Sequence, residues 1–221
     1  MDKRKALFIT FEGIEGSGKS THAARAAEFL RSLGLRVLHV REPGSTKLGE
    51  QLRAILLRAA YDIPPLVELF LYEAARAQLL HEVIIPQYSR YDCIICDRFQ
   101  DATLVYQGYA GGVALDFVKK TGDFVIRAAR PDMTIVLDIP VSASMRRMKK
   151  NPDRIEQKKL AFHNALRYGY LTIARKEQER VKVVDSRASH ARVAAHVRAL
   201  LIDCLIRHGK YYVVRPDTRT R

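Results

Sequence analysis

Cysteine is scarce in this 221-residue sequence, and long apolar runs are absent. A helix that crosses a membrane needs about 20 consecutive apolar residues, and no segment approaches that length. The three cysteines are Cys93, Cys96 and Cys204. The first two have CxxC spacing, but no second pair or nearby histidine completes a zinc site. We therefore expect a soluble, cytoplasmic protein whose cysteines are small buried side chains.

Acidic residues are scarce in the last third of the chain. Residues 1–139 contain 18 Lys and Arg against 17 Asp and Glu, whereas residues 140–221 contain 20 against 7. Most of the formal net charge of +14 therefore lies after residue 139. Such a positive field attracts nucleic acid, an anionic surface or a polyphosphate ligand. A solvated basic face explains the same composition equally well.

Neither an internal repeat nor a low-complexity linker divides the chain, whose length suits one domain. Periodicity predicts strands at 5–11, 36–40, 91–96, 133–139 and 181–184, and helices at 20–33, 48–60, 64–88, 101–109, 113–128, 141–148, 155–179 and 188–207. This alternation is typical of an α/β fold, a five-stranded parallel sheet with helices on both faces. Function is then expected at the carboxyl ends of the strands. We assign residues 1–208 to one domain and residues 209–221 to a basic tail.

A glycine-rich segment follows the first predicted strand. Residues 13–20 read GIEGSGKS and satisfy the pattern GxxxxGK[ST] directly before a predicted helix. Glycines let backbone N–H groups converge on phosphate oxygens, and the helix N-terminus adds partial positive charge. The segment therefore predicts an ATP-binding loop and a three-layer P-loop NTPase fold. Lys19 is expected to reach the β and γ phosphates and the Ser20 hydroxyl to ligate Mg²⁺. The predicted ATP contacts are Gly13, Ile14, Glu15, Gly16, Ser17, Gly18, Lys19, Ser20 and Thr21.

A P-loop alone does not identify the reaction, because motors, helicases and GTPases share it. A GTPase would also need NKxD and DxxG motifs, and the sequence has neither. Other motifs occur instead: REPGST at 41–46, YEAARAQ at 72–78, DRF at 97–99 and VYQG at 105–108. With the P-loop, and in this order, they resemble the bacterial thymidylate kinase family. The resemblance extends over about residues 5–200 and implies a kinase that makes dTDP from dTMP and ATP, with Mg²⁺, and that forms a homodimer.

The resemblance also implies roles on the acceptor side. Tyr72 is expected to stack on the thymine ring, where the family usually has Phe, and Arg76 to hydrogen-bond the edge of the base. Asp97 is expected to act on Mg²⁺. The other implied acceptor contacts are Arg98 and Arg53 to the phosphate, Glu15 to the 3′-hydroxyl, Tyr106 beside the deoxyribose, Thr103 and Gln107 near the base, and Glu42 of the REPGST segment.

A basic segment at about 146–154 is predicted to form a short lid. One subgroup of the family has arginine at the P-loop position that is Gly16 here, and the other subgroup places cations in the lid. This chain resembles the second subgroup, because Arg146, Arg147, Lys149, Lys150 and Arg154 lie in the predicted lid. Cations there would neutralise charge on the transferring oxygens. The predicted catalytic residues are therefore Lys19, Asp97, Arg98, Arg147 and Lys149.

The chain departs from the family pattern near the acceptor. Ser45 replaces a glycine of REPGGT, Ala102 replaces a serine, and residues 109–112 replace a GGRG-like turn without its arginine. Two alternatives stay open at this point. One is the same chemistry on another nucleotide or nucleoside. The other, which the acceptor motifs disfavour, is a nucleic-acid-binding protein that uses ATP as a switch.

Overall fold

Five parallel strands form the centre of the molecule. A computed structural model describes residues 6–58, 60–148 and 153–210. The strands are β1 (Leu7–Glu12), β2 (Val37–Arg41), β3 (Cys93–Asp97), β4 (Met133–Asp138) and β5 (Val181–Asp185). Their order is β2-β3-β1-β4-β5, and every pairing is parallel. The five-stranded parallel sheet predicted from the sequence is confirmed.

Helices cover both faces of this sheet. They are α1 (Lys19–Ser32), α2 (Lys47–Leu57), α3 (Pro65–Leu79), α4 (Ile85–Gln87), α5 (Gln100–Thr103), α6 (Leu115–Val125), α7 (Val141–Arg147), α8 (Leu160–Lys176) and α9 (His190–Arg207), with π-helical segments at Leu80–Ile84 and Leu104–Ala110. Within the described residues, none of these helices has the length and apolar character that crossing a bilayer requires.

The apolar character of β1 explains why both faces are covered. Every residue of β1 is buried, and successive side chains of a strand point to opposite faces. Leu7, Ile9 and Phe11 pack in a cluster with residues of α1 and α9, whereas Phe8 packs in a second cluster with residues of α3. The three cysteines are free and buried in these clusters, as predicted.

Two predicted helices differ from the sequence-based expectation. The helix predicted at 64–88 changes to a π-helical turn at Leu80 and returns to α geometry at Ile85. Pro86 lies just beyond this turn, and proline lacks the N–H of a regular helix and crowds the preceding turn. The helix predicted at 101–109 is π-helical from Leu104 onward. Such segments are common at functional sites, and this one carries Tyr106 and Gln107.

The helix predicted at 155–179 begins only at Leu160. The physical reason is the backbone of Lys159, which is extended (ψ 156°) directly before the helix. The residues before Lys159 form a separate turn, in which Asp153 Oδ1 accepts the backbone N–H groups of Ile155 and Glu156 at 2.9 and 3.0 Å. The helix predicted at 48–60 likewise ends early, at Leu57, where Arg58 becomes extended.

Strand register brings the predicted motifs to one edge of the sheet. Asp97, at the end of β3, lies beside Phe11 of β1 and Arg41 of β2. The P-loop follows β1, and Glu42 follows β2. Their convergence is the geometry that places ligands at the carboxyl ends of parallel strands.

Candidate active site

A cavity of about 580 Å³ opens at this edge of the sheet. That volume is typical of sites for small molecules. Most of the predicted site residues line it: Glu15, Gly16, Lys19, Ser20, Glu42, Arg53, Tyr72, Arg76, Asp97, Arg98, Thr103, Tyr106 and Gln107. Gly13, Ile14, Ser17, Gly18, Thr21 and Arg147 are not among the lining residues. Lys149, also predicted to be catalytic, lies outside the described residues.

The P-loop requires glycine at particular positions. Gly13, Gly16 and Gly18 have φ values of 141°, 69° and 86°, which favour glycine. A Cβ atom on Gly13 would also lie 2.6 Å from the backbone oxygen of Leu137. Lys19 folds back over the loop, where its Nζ donates to the backbone oxygen of Ile14 at 3.3 Å. The loop therefore has the compact form that lets backbone N–H groups face an anion.

Two serines outside the P-loop hold its backbone in place. Ser144 of α7 donates its hydroxyl to the backbone oxygen of Glu15 at 2.6 Å. Ser186, directly after β5, donates its hydroxyl to the backbone oxygen of Ser17 at 2.5 Å. Neither serine is predicted from the sequence, because a serine that bonds a distant backbone oxygen leaves no local pattern.

Arg98 is the centre of the charge network between the P-loop and the acceptor side. Its Nη2 donates to Glu15 Oε1 at 2.6 Å and its Nη1 to the Tyr170 hydroxyl at 3.2 Å. Its guanidinium also lies 4.8 Å from the centre of the Tyr106 ring, a distance suited to a cation–π contact. The backbone of Arg98 has a φ of 69°, which non-glycine residues rarely adopt. Strain at such a position is typical of functional sites.

One oxygen of Glu15 makes no hydrogen bond among the described residues. Its Oε1 also accepts the Tyr106 hydroxyl at 2.5 Å, whereas its buried Oε2 makes none and lies 3.9 Å from Nδ1 of the buried His163. Burial favours the neutral acid, but Arg98, Lys19 and the Tyr106 hydroxyl outweigh it, and the pKa of Glu15 lies below its usual value. An ionised carboxylate with a free oxygen suits a ligand hydroxyl.

The pKa of Lys19 is also lowered, which for a lysine disfavours the charged form. Burial and the nearby charge of Arg98 lower the pKa of Lys19 to about 8, although Glu15 and Asp97 oppose the shift. Two buried cations so close together favour a polyanion, because negative charge relieves their repulsion.

The guanidinium of Arg76 is buried and surrounded by acceptors. It donates to Glu42 at 2.8 Å, to Gln100 at 2.7 Å, to the backbone oxygen of Phe99 at 3.2 Å and to the Thr103 hydroxyl at 2.9 Å. Glu73 makes a further ion pair at 2.9 Å. These contacts engage the fork-shaped donor set of an arginine. The predicted bond from Arg76 to a base edge would therefore replace an existing partner.

Arg53 and Tyr72 both line the cavity. Arg53 Nη1 donates to the backbone oxygen of Pro43 at 3.1 Å, which leaves other donors of its guanidinium for an anion. Burial raises the pKa of Tyr72 to about 12, so the ring carries a neutral hydroxyl at ordinary pH. Such a ring suits the stacking predicted for Tyr72.

Asp97 and Ser20 fit a hard cation. Asp97 Oδ1 is buried and has no hydrogen-bond partner within the described ranges, and both residues line the cavity with Lys19. Carboxylate and hydroxyl oxygens are ligands that Mg²⁺ prefers. The donor set therefore agrees with the predicted role of these two residues.

Gly16 explains how α7 approaches the P-loop. A Cβ atom on Gly16 would lie 2.7 Å from the backbone oxygen of Ser144 and 3.3 Å from the Cβ of Arg147. Glycine thus lets the start of the Arg147 side chain lie directly against the loop. Arg147 Nη1 donates to the backbone oxygen of Ser186 at 3.2 Å, and the hydroxyl of the same serine holds Ser17.

Arg154 differs from the expectation for a lid cation. Its Nε donates to the backbone oxygen of Leu56 at 2.8 Å, and its Nη1 pairs with Glu68 at 2.6 Å. Only 7% of the residue is exposed. The sequence alone predicts Arg154 as a lid cation, because composition does not reveal a buried partner such as Glu68.

Comparison with known proteins agrees with this geometry. The family model described as thymidylate kinase matches residues 11–197. The chain belongs to the thymidylate kinase family. A thymidylate kinase of Syntrophotalea carbinolica is 45% identical over 190 residues, which cover 82% of this chain and 88% of the relative. One of Kosmotoga olearia is 37% identical over 205 residues, which cover 92% and 99%. The crystal structure of the thymidylate kinase of Ehrlichia chaffeensis matches with a TM-score of 0.73 and 32% identity, covering 89% of this chain and 99% of that one.

Glu12 is a site residue that sequence analysis missed. It ends β1 without exposure to solvent, and its Oε1 accepts the backbone N–H groups of Phe99 and Ala102 at 2.7 and 3.2 Å. Its Oε2 accepts the Tyr170 hydroxyl at 2.8 Å. Glu12 therefore holds the backbone that follows Arg98 and also the Tyr170 hydroxyl, to which Arg98 donates. An acidic residue at the end of an apolar strand is the signal that could have found it.

A pH-dependent stability follows from Glu12. Burial raises its pKa to about 7, although Arg98 opposes the shift. A carboxyl group with a raised pKa in the folded state favours folding at low pH, and this contribution is lost as pH rises from about 4.5 to about 7. We expect Glu12→Gln to gain stability relative to the wild type by roughly 1–3 kcal/mol between pH 5 and pH 8. Urea unfolding of both proteins at the two pH values measures this difference. A constant difference would show that Glu12 does not titrate in this range.

Proposed function

We propose that this protein transfers the γ-phosphoryl group of ATP to dTMP, giving ADP and dTDP for dTTP synthesis. The observation that carries the proposal is one cavity whose lining includes P-loop residues, among them Lys19 and Ser20, together with the aromatic and arginine side chains predicted for the acceptor. Membership of the thymidylate kinase family supports the same reaction. The cytoplasmic location expected from the sequence remains a prediction.

Positioning and charge neutralisation account for the chemistry. A phosphate oxygen of dTMP attacks the γ-phosphorus in line, the bond to ADP breaks, and no covalent enzyme intermediate is required. Lys19 and Arg98 face this region and neutralise charge on the two nucleotides. Glu15 accepts the 3′-hydroxyl through Oε2, and Tyr106 limits the space beside the sugar. Arg53 joins Arg98 at the acceptor phosphate.

Ser20 and Asp97 would hold Mg²⁺, with Asp97 acting through Oδ1 or a water molecule. When bound by these residues, the ion would supply positive charge that offsets the negative charge of the phosphate groups.

The acceptor preference can be tested directly. Release of ADP is measured with dTMP, dUMP, UMP, dCMP and AMP as acceptors, in the presence of ATP and Mg²⁺. We expect the highest kcat/KM with dTMP and low activity with UMP, because Tyr106 crowds a 2′-hydroxyl. Higher activity with another monophosphate would assign a different acceptor, and no activity with any of them would refute the kinase.

A variant of Arg147 tests whether this cation neutralises charge on the transferred phosphoryl group. We expect Arg147→Ala to lower kcat roughly 10- to 100-fold, because it removes positive charge that acts in the transition state. The KM for dTMP should change by less than about twofold, because the lost interaction acts in the transition state and not in the binding of dTMP. Arg146→Ala is the matched control, as Arg146 is the preceding cation of the same helix. Equal kcat values for the two variants would remove Arg147 from the mechanism.

We also propose that the protein is a homodimer through an apolar surface on α3 and α6. This surface consists of Leu66, Val67, Phe70, Leu115, Phe117 and Phe124, each at least 40% exposed. The rings of Phe70 and Phe117 lie 6.3 Å apart, which makes the surface continuous between the two helices. Exposed apolar surfaces of this kind are typical of protein interfaces.

Phe70→Glu should convert the dimer to a monomer, because it places a charge in an apolar interface. Light scattering after gel filtration would then give a mass near that of one 25.2 kDa chain, half that of the wild type. Tyr168→Glu, at an exposed residue of α8, should leave the mass unchanged. A monomeric wild type would contradict the proposal.

A further inference from the structure

Glu68 of α3 is a buried carboxylate held between two side chains. Its Oε1 pairs with Arg154 Nη1 at 2.6 Å, and its Oε2 accepts from Gln107 Nε2 at 2.8 Å. Only 5% of Glu68, 7% of Arg154 and 1% of Gln107 is exposed. Because buried polar groups of this kind depend on their partners, the three side chains form one unit.

Glu68 determines which way the Gln107 amide faces. An ionised carboxylate can only accept hydrogen bonds, whereas an amide has a donor end and an acceptor end. The NH₂ group of Gln107 must therefore face Glu68, since the reverse orientation would bring two acceptors together. The other end of the amide, Oε1, is buried and has no hydrogen-bond partner in the part of the chain that the structure describes. Gln107 lines the cavity with Tyr72 and Thr103.

Arg154 pairs with one oxygen of Glu68, and Gln107 donates to the other. The Nε of Arg154 donates to the backbone oxygen of Leu56 at the end of α2, and the Asp153 carboxylate fixes the turn that follows. The hydrogen bond to Leu56 therefore fixes the position of the guanidinium that pairs with Glu68. An anchored partner limits the rotamers that Glu68 can adopt.

We propose that Glu68, held by Arg154, is a positioning residue that makes the Gln107 amide present an acceptor to the base of the acceptor nucleotide. The proposal rests on the proposed function and specifies how the same cavity selects its base. Thymine and uracil carry a ring N–H between two carbonyl groups, which can donate to Gln107 Oε1. Cytosine has a ring nitrogen with a lone pair at that place, which would leave two buried acceptors facing each other. A site built for a hydrogen bond discriminates strongly against a ligand that cannot form it.

Glu68→Gln tests the proposal with almost no change of shape. The new amide can offer either a donor or an acceptor, so the Gln107 amide can rotate. We expect the ratio of kcat/KM for dTMP over dCMP to fall about tenfold or more, mainly through a higher KM for dTMP. The ratio for dTMP over dUMP should stay within about twofold, because both bases carry the ring N–H. Inhibition constants of dCMP against dTMP give the same ratio where turnover of dCMP is too slow to measure.

Two further variants separate positioning from folding. Arg154→Gln leaves Glu68 present but unanchored, and should lower the dTMP over dCMP ratio in the same direction. The double change Glu68→Gln with Gln107→Glu returns an acceptor to the cavity, and should restore much of the ratio. A merely structural role of Glu68 would not give this recovery.

Arg180→Gln is the matched control. It breaks another partly buried ion pair, between Arg180 and Asp101 at 2.7 Å, and neither residue lines the cavity. It should lower the melting temperature without changing the base preference. If the wild type phosphorylates dTMP but Glu68→Gln keeps the full ratio over dCMP, the inference is wrong and the proposed function stands. If the wild type phosphorylates no monophosphate, the proposed function itself fails.

Discussion

The contact between Arg98 and Glu15 is the interaction on which the rest of the site depends. It joins the residue after β3 to the P-loop after β1 at 2.6 Å, and so links the loop expected to bind ATP to the acceptor side. Burial of this pair is tolerated because Tyr170 and Tyr106 supply further partners. A buried charge that lost its partner would be strongly destabilising. The same network therefore stabilises the fold and fixes the geometry between two nucleotides.

Lys19 belongs to the same network as Arg98. Burial and Arg98 lower the pKa of Lys19, although Glu15, Asp97 and Glu12 oppose the shift. Phosphate groups bound beside Lys19 would add negative charge, and their binding would raise the pKa of Lys19 again. The P-loop does not have to change shape for this, since Ser144 and Ser186 already hold its backbone. Donors that are fixed before the ligand arrives require little reorganisation during the reaction.

The sequence predicted the fold and most cavity residues because those features are local. The alternation of apolar strands and helices gave the parallel sheet, and strand ends carried the motifs to one edge. The sequence could not predict that Arg154 is buried, because its partner Glu68 lies 86 positions earlier in the chain. Ser144 and Ser186 were missed for the same reason, since each acts through a backbone oxygen distant in sequence. These contacts form only when the fold brings residues that are distant in sequence together, and no local sequence pattern predicts that.

The predicted contact between Arg76 and the base also depends on partners that the sequence does not reveal. The family resemblance implies that its guanidinium contacts the base directly, yet Glu42, Gln100, Phe99 and Thr103 already accept from it. Its clearest effect is to order other groups: the Thr103 oxygen accepts from Arg76, so the Thr103 hydroxyl hydrogen remains able to donate. Gln107 offers the complementary acceptor. A donor from Thr103 beside an acceptor from Gln107 matches a base edge on which a carbonyl group adjoins a ring N–H. Selectivity for such a base would then depend on the buried ion pairs of Arg76 and Glu68, because these pairs determine which atoms Thr103 and Gln107 present to the cavity.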